Sequence, residues 1–372
     1  MVKWGKFEAG MTEERWRPPS PQWHENSQTG KEPMAEYGPK ESELSRRQLL
    51  KIALAGGVLA ASGLSIKQWM DRPRLHAQTF IGKADSYNVD LPSIIQAGFH
   101  ELGVTPSEIK GKRILLKPNL VETSMESAHI NTHPLLVRAA AETFLRLGAA
   151  HVLVAEGPGH RRDMLQVLDE SGLADVLYED HIPFVNLNEM GGSTVPNLGH
   201  RTSLTTLTFP PIFQEIDWIV SMPKLKTHHW TGVTLSMKNL FGVMPGLYYG
   251  WPKNVLHQAG IQHSILDINA TLRPHFAIAD GIVGMEGDGP IMGTPKQLGV
   301  LVMGRNLPSV DATCARLMGV DPHKVGYLAS ASNWLGPIHA SNIQQRGEPI
   351  RPLRKDFLLL KRIPAHQGLR LA

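Results

Sequence analysis

Between residues 113 and 318, short aliphatic runs alternate with stretches of helical periodicity, and that alternation limits the architectures open to the chain. Residues 113–116, 151–155, 184–187, 216–222, 276–279 and 297–303 read as strands, with 204–209 as a further strand at an edge. Between them, residues 133–147 (stopped by Gly148), 164–177 (interrupted near Gly172), 261–272 and 309–318 read as helices. Regular β/α alternation with short aliphatic strands predicts an α/β fold: a mainly parallel sheet flanked by helices, in a layered α/β/α architecture. There is no internal repeat of fixed period.

The ends of the chain read differently. Residues 1–44 are polar, with prolines and glycines and few aliphatics, and are expected to be disordered. Residues 45–77 read as an export signal. Ser45-Arg46-Arg47-Gln48-Leu49-Leu50-Lys51 carries the arginine pair of a twin-arginine signal, and residues 52–66 form a weakly hydrophobic run with glycines. That run is shorter than the roughly 20 residues a membrane span needs, and Leu75-His-Ala77 supplies a cleavage site. The competing reading is an ordinary helix that follows two arginines. Export predicts a periplasmic or extracytoplasmic protein with the twin-arginine machinery as a partner, or a membrane-anchored one if the signal is retained. The folded domain is expected over residues 80–350, followed by a C-terminal tail over 351–372.

Composition narrows the function classes. Net charge is +4 and no basic stripe is interleaved with aromatics, so nucleic acid is not an expected partner. Cys314 is the only cysteine, so neither an internal disulfide nor a cysteine-ligated cluster can form. It falls in a helical pattern and is expected to be a buried small hydrophobe.

In parallel α/β sheets, ligands bind beyond the carboxyl ends of the strands. Five predicted strands end in polar or glycine-rich groups: Lys117-Pro-Asn119, Glu156-Gly-Pro-Gly159, the Lys224–His229 cluster, the 280–290 segment, and Gly304-Arg-Asn306. A parallel sheet would gather all five on one edge. The richest is Pro223-Lys-Leu-Lys-Thr-His228. Lys224 and Lys226 are two apart and point to one side of extended backbone, and a helix is expected after Gly232, carrying Lys238 and Asn239. Three lysines, two histidines and Asn239 within sixteen residues predict an anion site. The alternative is a solvated turn with structural histidines. Gly157 and Gly159 would let backbone N–H groups approach a phosphate; the alternative is a tight turn. Asp280, Glu286 and Asp288 are candidates to hold a divalent metal through hard oxygen ligands; the alternative is a glycine loop with solvated acids. Asp311 sits at a plausible helix N-cap.

Taken together, Lys117-Pro-Asn119, Glu156-Gly-Pro-Gly159, Pro223-Lys-Leu-Lys-Thr-His228, Ser236-Met-Lys-Asn-Leu-Phe-Gly242, Asp280-Gly-Ile-Val-Gly-Met-Glu-Gly-Asp-Gly-Pro290 and Asp311-Ala-Thr resemble the family called domain of unknown function 362, over roughly residues 80–325. The family carries no assigned reaction. Some members hold an iron–sulfur cluster on a cysteine-rich segment; with Cys314 alone, no such cluster is expected here.

The residues assign substrate binding to Lys117, Asn119, Lys224, Lys226, Asn239, Gly157 and Gly159, and catalysis to His228, Asp280 and Lys238, with His228 as the proton-transfer group. The leading expectation is an exported enzyme acting on a small anionic molecule, a phosphate or carboxylate, with metal assistance open. A non-catalytic metal- or anion-binding carrier or sensor is the second reading, and a scaffold the third. The sequence leaves the oligomeric state open.

Overall fold

The computed structural model describes residues 76–123, 127–159, 162–332 and 334–372. Of the disordered and signal-like segments predicted over 1–44 and 45–77, residues 1–75 lie outside the described residues, and Ala77 at the predicted cleavage site opens a strand. The described residues belong to one compact unit, Pro73–Ala372. Its strands are β1 (Ala77–Lys83), β2 (Arg113–Pro118), β3 (His151–Glu156), β4 (Phe184–Asn186), β5 (Ser193–Pro196), β6 (Thr206–Phe209), β7 (Trp218–Met222), β8 (Lys224–His228), β9 (Gly232–Thr234), β10 (Phe276–Glu286), β11 (Thr294–Gly304) and β12 (Ile343–Gly347). The principal helices are α1 (Leu91–Glu101), α2 (Pro134–Arg146), α3 (Met164–Glu170), α4 (Leu173–Glu179), α5 (Ser236–Asn239), α6 (Ile261–Leu272) and α7 (Leu307–Leu317).

Ten strands form one sheet, in the order β12-β1-β11-β10-β7-β2-β3-β4, with β8 and β9 branching from β10. From β10 to β4 every neighbour is parallel. Side chains alternate between the two faces, as strand geometry requires. Along β10, Phe276 and Ile278 join one core with Phe99 of α1 and Phe144 of α2, while Ala277 and Ala279 join the other with Ile265 of α6 and Val310 of α7. Helices therefore cover both faces, and the layered α/β/α expectation holds. Cys314 is buried in the second core, as expected. Among the described residues no helix is long and apolar enough to cross a membrane.

Four local expectations are corrected. β11 runs antiparallel to β10, so the junction at Gly304 lies at the opposite edge from the other four. The Lys224–His229 cluster is a strand: Pro223, which cannot donate to a ladder, ends β7, and the chain resumes as β8 with Lys224 opposite Asp280. The segment from Asp280 to Glu286 is also strand rather than loop, bent by a bulge between Gly281 and Val283. After Gly232 the chain first forms β9 and only then the single turn of α5, because β9 pairs back on β8. Residues 204–209 supply β6, which pairs with β5 in a separate two-stranded sheet. The C-terminal tail packs on the domain: Phe357 is fully buried, and Leu369 and Ile363 nearly so.

Candidate functional site

A cavity of about 120 Å³ opens at the carboxyl edge of β2, β3 and β7. Lys117, Asn119, Gly157, Gly159, Lys226, His228, Lys238 and Asn239, all predicted from the sequence, line it together with Glu156, to which the sequence reading assigns no role. So do His229, Trp230, Thr234, Lys253 and His257. Among the described residues, four lysines thus share this lining with a single carboxylate, Glu156.

An ammonium has three protons to donate, and the four lysines use them to different extents. Lys117 uses all three, to Glu156 Oε2 at 2.6 Å, Asn239 Oδ1 at 2.9 Å and Pro118 O at 2.9 Å. Lys253 uses two, to Asn188 Oδ1 at 2.5 Å and to Met244 O. Lys226 uses one, to Ile130 O at 2.9 Å. Lys238 has no hydrogen-bond acceptor among the described residues; its ammonium stands 4.5 Å from the centre of the Phe241 ring. Among the described residues the one lining carboxylate is therefore committed to Lys117, and the other three lysines face the cavity without a carboxylate partner.

That imbalance shifts their acidity. Burial lowers the pKa of all four. For Lys117 the pull of Glu156 opposes the fall. Lys226 is held well below its ordinary value by burial and then by the cations of Lys224, Lys238 and Lys117. Lys238 is lowered to about 8 by burial and then by Lys117. Lys253 is lowered to about 7, chiefly by burial.

Two buried polar atoms in the cavity wall have no partner: Asn119 Oδ1 and Thr234 Oγ1. Buried polar groups are nearly always hydrogen-bonded, so two orphans in one wall mark where a ligand would bond.

The histidines divide by tautomer. His228 Nδ1 accepts from Trp230 N at 3.0 Å and Thr231 N at 3.4 Å. Its neutral ring therefore carries the proton on Nε2, and burial followed by the surrounding charges holds its pKa well below the usual value. His229 Nδ1 faces Gly289 O at 2.9 Å and His257 Nδ1 faces Lys253 O at 3.1 Å. A carbonyl only accepts, so these rings donate from Nδ1 and keep an acceptor at Nε2. His228 thus differs from His229 and His257: its Nδ1 faces backbone donors, and theirs each face a backbone carbonyl.

Lys224 and Asp280 do not line the cavity. They form a separate buried centre. Lys224 Nζ donates to Asp280 Oδ2 at 2.6 Å and to Tyr87 Oη at 2.8 Å, and Tyr87 Oη donates to Asp280 Oδ1 at 2.9 Å. Tyr87 stacks on His133 at 3.7 Å, and His133 N donates to Asp280 Oδ2 at 3.1 Å. Both members of the pair are fully buried, so Lys224 already has its anion. The three acidic candidates are likewise not brought together. Glu286 pairs with Lys296 at 3.1 Å and Asp288 with Arg362 at 2.7 Å. Each is neutralised by its own cation, and among the described residues no group of three or more His, Cys, Asp or Glu side chains is arranged to hold a metal ion.

Gly157 is tied down as well: its N–H donates to Glu156 Oε1 at 2.8 Å, which takes it from a ligand. Gly159 remains on the cavity wall. Asp311 is not an N-cap of its own helix. Asn306 caps α7, and Asp311 reaches across from inside that helix to accept from Ser236 N at 2.7 Å and Met237 N at 3.1 Å at the start of α5. It thereby fixes the turn that carries Lys238 and Asn239.

Lys253, His257 and Thr234 are not among the residues singled out from the sequence. A backbone clue marks Lys253 once the structure is known. It holds φ 72°, a left-handed conformation rare for a residue with a side chain and often found where function demands it.

The fold and cavity define an α/β protein with a lysine-lined cavity at the carboxyl edge of its parallel strands. The model of the Domain of unknown function (DUF362) family matches residues 114–316, and the chain belongs to that family. It is 27% identical over 227 residues to the Thylakoid-associated protein sll1697 of Synechocystis sp., across 59% of this chain and 67% of that protein. Among solved structures it is similar to the lactate racemase apoprotein from Thermoanaerobacterium thermosaccharolyticum, with 14% identity, a TM-score of 0.39, and coverage of 66% of this chain and 58% of that one. A protein from Thermotoga maritima gives 14% identity and a TM-score of 0.36, over 62% of this chain and 59% of that one. The chain spans less than two thirds of either.

Proposed function

We propose that the chain is an enzyme that binds a small phosphate- or carboxylate-bearing molecule in the lysine-lined cavity. The observation that carries this reading is the donor inventory: Lys226, Lys238 and Lys253 face one cavity whose only carboxylate among the described residues is already spent on Lys117. An anion placed there meets charge-assisted donors in a dry surrounding, where such bonds are strongest. The volume of about 120 Å³ equals a few water molecules at about 30 Å³ each, so the ligand is compact. A buried histidine hydrogen-bond donor, His228, lines the same cavity as the lysines, and this supports an enzyme over a carrier.

Equilibrium titration with orthophosphate and sulfate tests the reading. Saturable binding is expected for the wild-type protein, and its loss in the Lys226→Met, Lys238→Met double variant. Asp288→Asn, which touches only Arg362 outside the cavity, should bind normally. Wild-type affinity in the double variant would overturn the assignment.

A further inference from the structure

We propose that Lys238 is a nucleophile whose amine condenses with the carbonyl of a small anionic 2-oxo acid. The proposal rests on the anion-site reading and names the substrate class. Lys117, Lys226 and Lys253 each donate to at least one neighbouring acceptor, which fixes the amine in place and favours its charged form. Among the described residues Lys238 has no acceptor and keeps only its contact with the Phe241 ring. It is partly exposed to the cavity, it lies against the Phe241 ring, and Lys117 stands close enough to depress its basicity. An amine desolvated beside another cation is the arrangement that makes lysine nucleophilic at working pH.

The step balances. The neutral amine nitrogen attacks the carbonyl carbon, and the proton it loses moves to the carbonyl oxygen, giving a carbinolamine. The C–O bond then breaks, that oxygen leaves as water with a second proton, and a C=N bond remains. Thr234 Oγ1 is buried on the same wall without a partner, four residues before Lys238, and bonds the carbonyl oxygen as it develops into a hydroxyl. The second proton comes from the carbinolamine nitrogen, His228 donates a hydrogen bond to the departing oxygen from Nε2, and Lys226 and Lys253 hold the carboxylate.

Trapping with sodium borohydride in the presence of glyoxylate or pyruvate tests this, read by intact mass and peptide mapping on the full chain. One reduced adduct per chain is expected, located at Lys238. Orthophosphate should protect against it in the wild-type protein, a control that needs no variant. Lys238→Arg should give no adduct, while Asp288→Asn, whose carboxylate pairs with Arg362, should be trapped like the wild type. Thr234→Val should slow trapping by about tenfold, the cost of one lost hydrogen bond. Sulfate binding with no adduct would overturn the imine and leave the anion site standing. An adduct that persists in Lys238→Arg, or that spreads over surface lysines, would overturn the assignment to Lys238. No adduct and no anion binding would overturn both.

Discussion

Glu156 Oε2 stands 2.6 Å from Lys117 Nζ, and both side chains are almost wholly excluded from solvent. The remaining oxygen valences are filled by Leu120 N at 3.1 Å and Gly157 N at 2.8 Å. Gly242 closes the space over the pair. A Cβ there would lie 2.0 Å from Glu156 Oε1 and 2.6 Å from Lys117 Nζ. Glu156→Gln leaves a buried ammonium without its counter-charge and should cost about 3–5 kcal/mol. Gly242→Ala should cost about 1–3 kcal/mol from overpacking alone, and more if the pair is displaced. Urea denaturation of both variants measures this, and a wild-type midpoint for Glu156→Gln would show that the pair does not hold the site.

The Lys224–Asp280 pair behaves as a structural unit, separate from the cavity. Asp280→Asn strands a fully buried lysine and should destabilise by about 3–5 kcal/mol, as should Lys224→Met, which strands Asp280. The double variant should recover most of the loss, because two neutral side chains carry no buried charge. Tyr87→Phe should cost about 1–3 kcal/mol by leaving two polar partners short of a bond. In the folded fraction, sulfate affinity should stay at the wild-type level for all of these. A selective loss of sulfate binding in the double variant would join the two centres into one site.

Asp311 links the two helices behind Lys238. Its pKa is raised to about 7 by burial, against bonds from Ser236 and Met237 that pull it down. An unfolded aspartate titrates near 3.9. Between about pH 4 and about pH 7 the folded state therefore holds the extra proton, so this group's stabilising contribution is lost as pH rises through that window. Asp311→Asn cannot ionise. The stability of the wild type relative to this variant should fall as pH rises from about 5 to about 8. A constant difference across that range would show that Asp311 is ionised in the fold throughout.

Much of the scaffold was legible because hydrophobic periodicity reports burial directly. The aliphatic runs at residues 113–116 and 151–155 lie within β2 and β3, and Gly148 follows α2 closely. The direction of β11 was not legible, since an aliphatic strand reads alike in either orientation. The cavity was legible as a cluster of lysines, histidines and amides after β2, β3 and β7. Its internal division was not. Lys224 and Lys226 differ by one period of a strand, and only the pairing of β8 with β10 sets Asp280 opposite Lys224, leaving Lys226 to the cavity. Lys253 and Thr234 reach the wall through a left-handed residue and a three-residue strand, neither of which leaves a periodic signal.

Acidity near neutral ties these features into a prediction about pH. Lys253 and Lys238 are lowered to about 7 and about 8, while an unfolded lysine titrates near 10.4. As pH rises from about 7 to about 9 the two ammonium groups lose their protons in the folded protein but keep them in the unfolded one. Their contribution to the stability of the ligand-free protein therefore rises with pH over that range. Anion binding goes the other way, because it needs the protonated forms. Sulfate, whose own charge is constant here, should bind at least tenfold more weakly at about pH 9 than at about pH 6. Imine trapping needs the neutral amine of Lys238 and a bound carboxylate together, so at saturating 2-oxo acid it should rise towards about pH 8 and at low concentration it should pass through a maximum. Titration and trapping on the same preparation check both slopes. If affinity and trapping rose together with pH, the cations of this cavity would not be what holds the ligand.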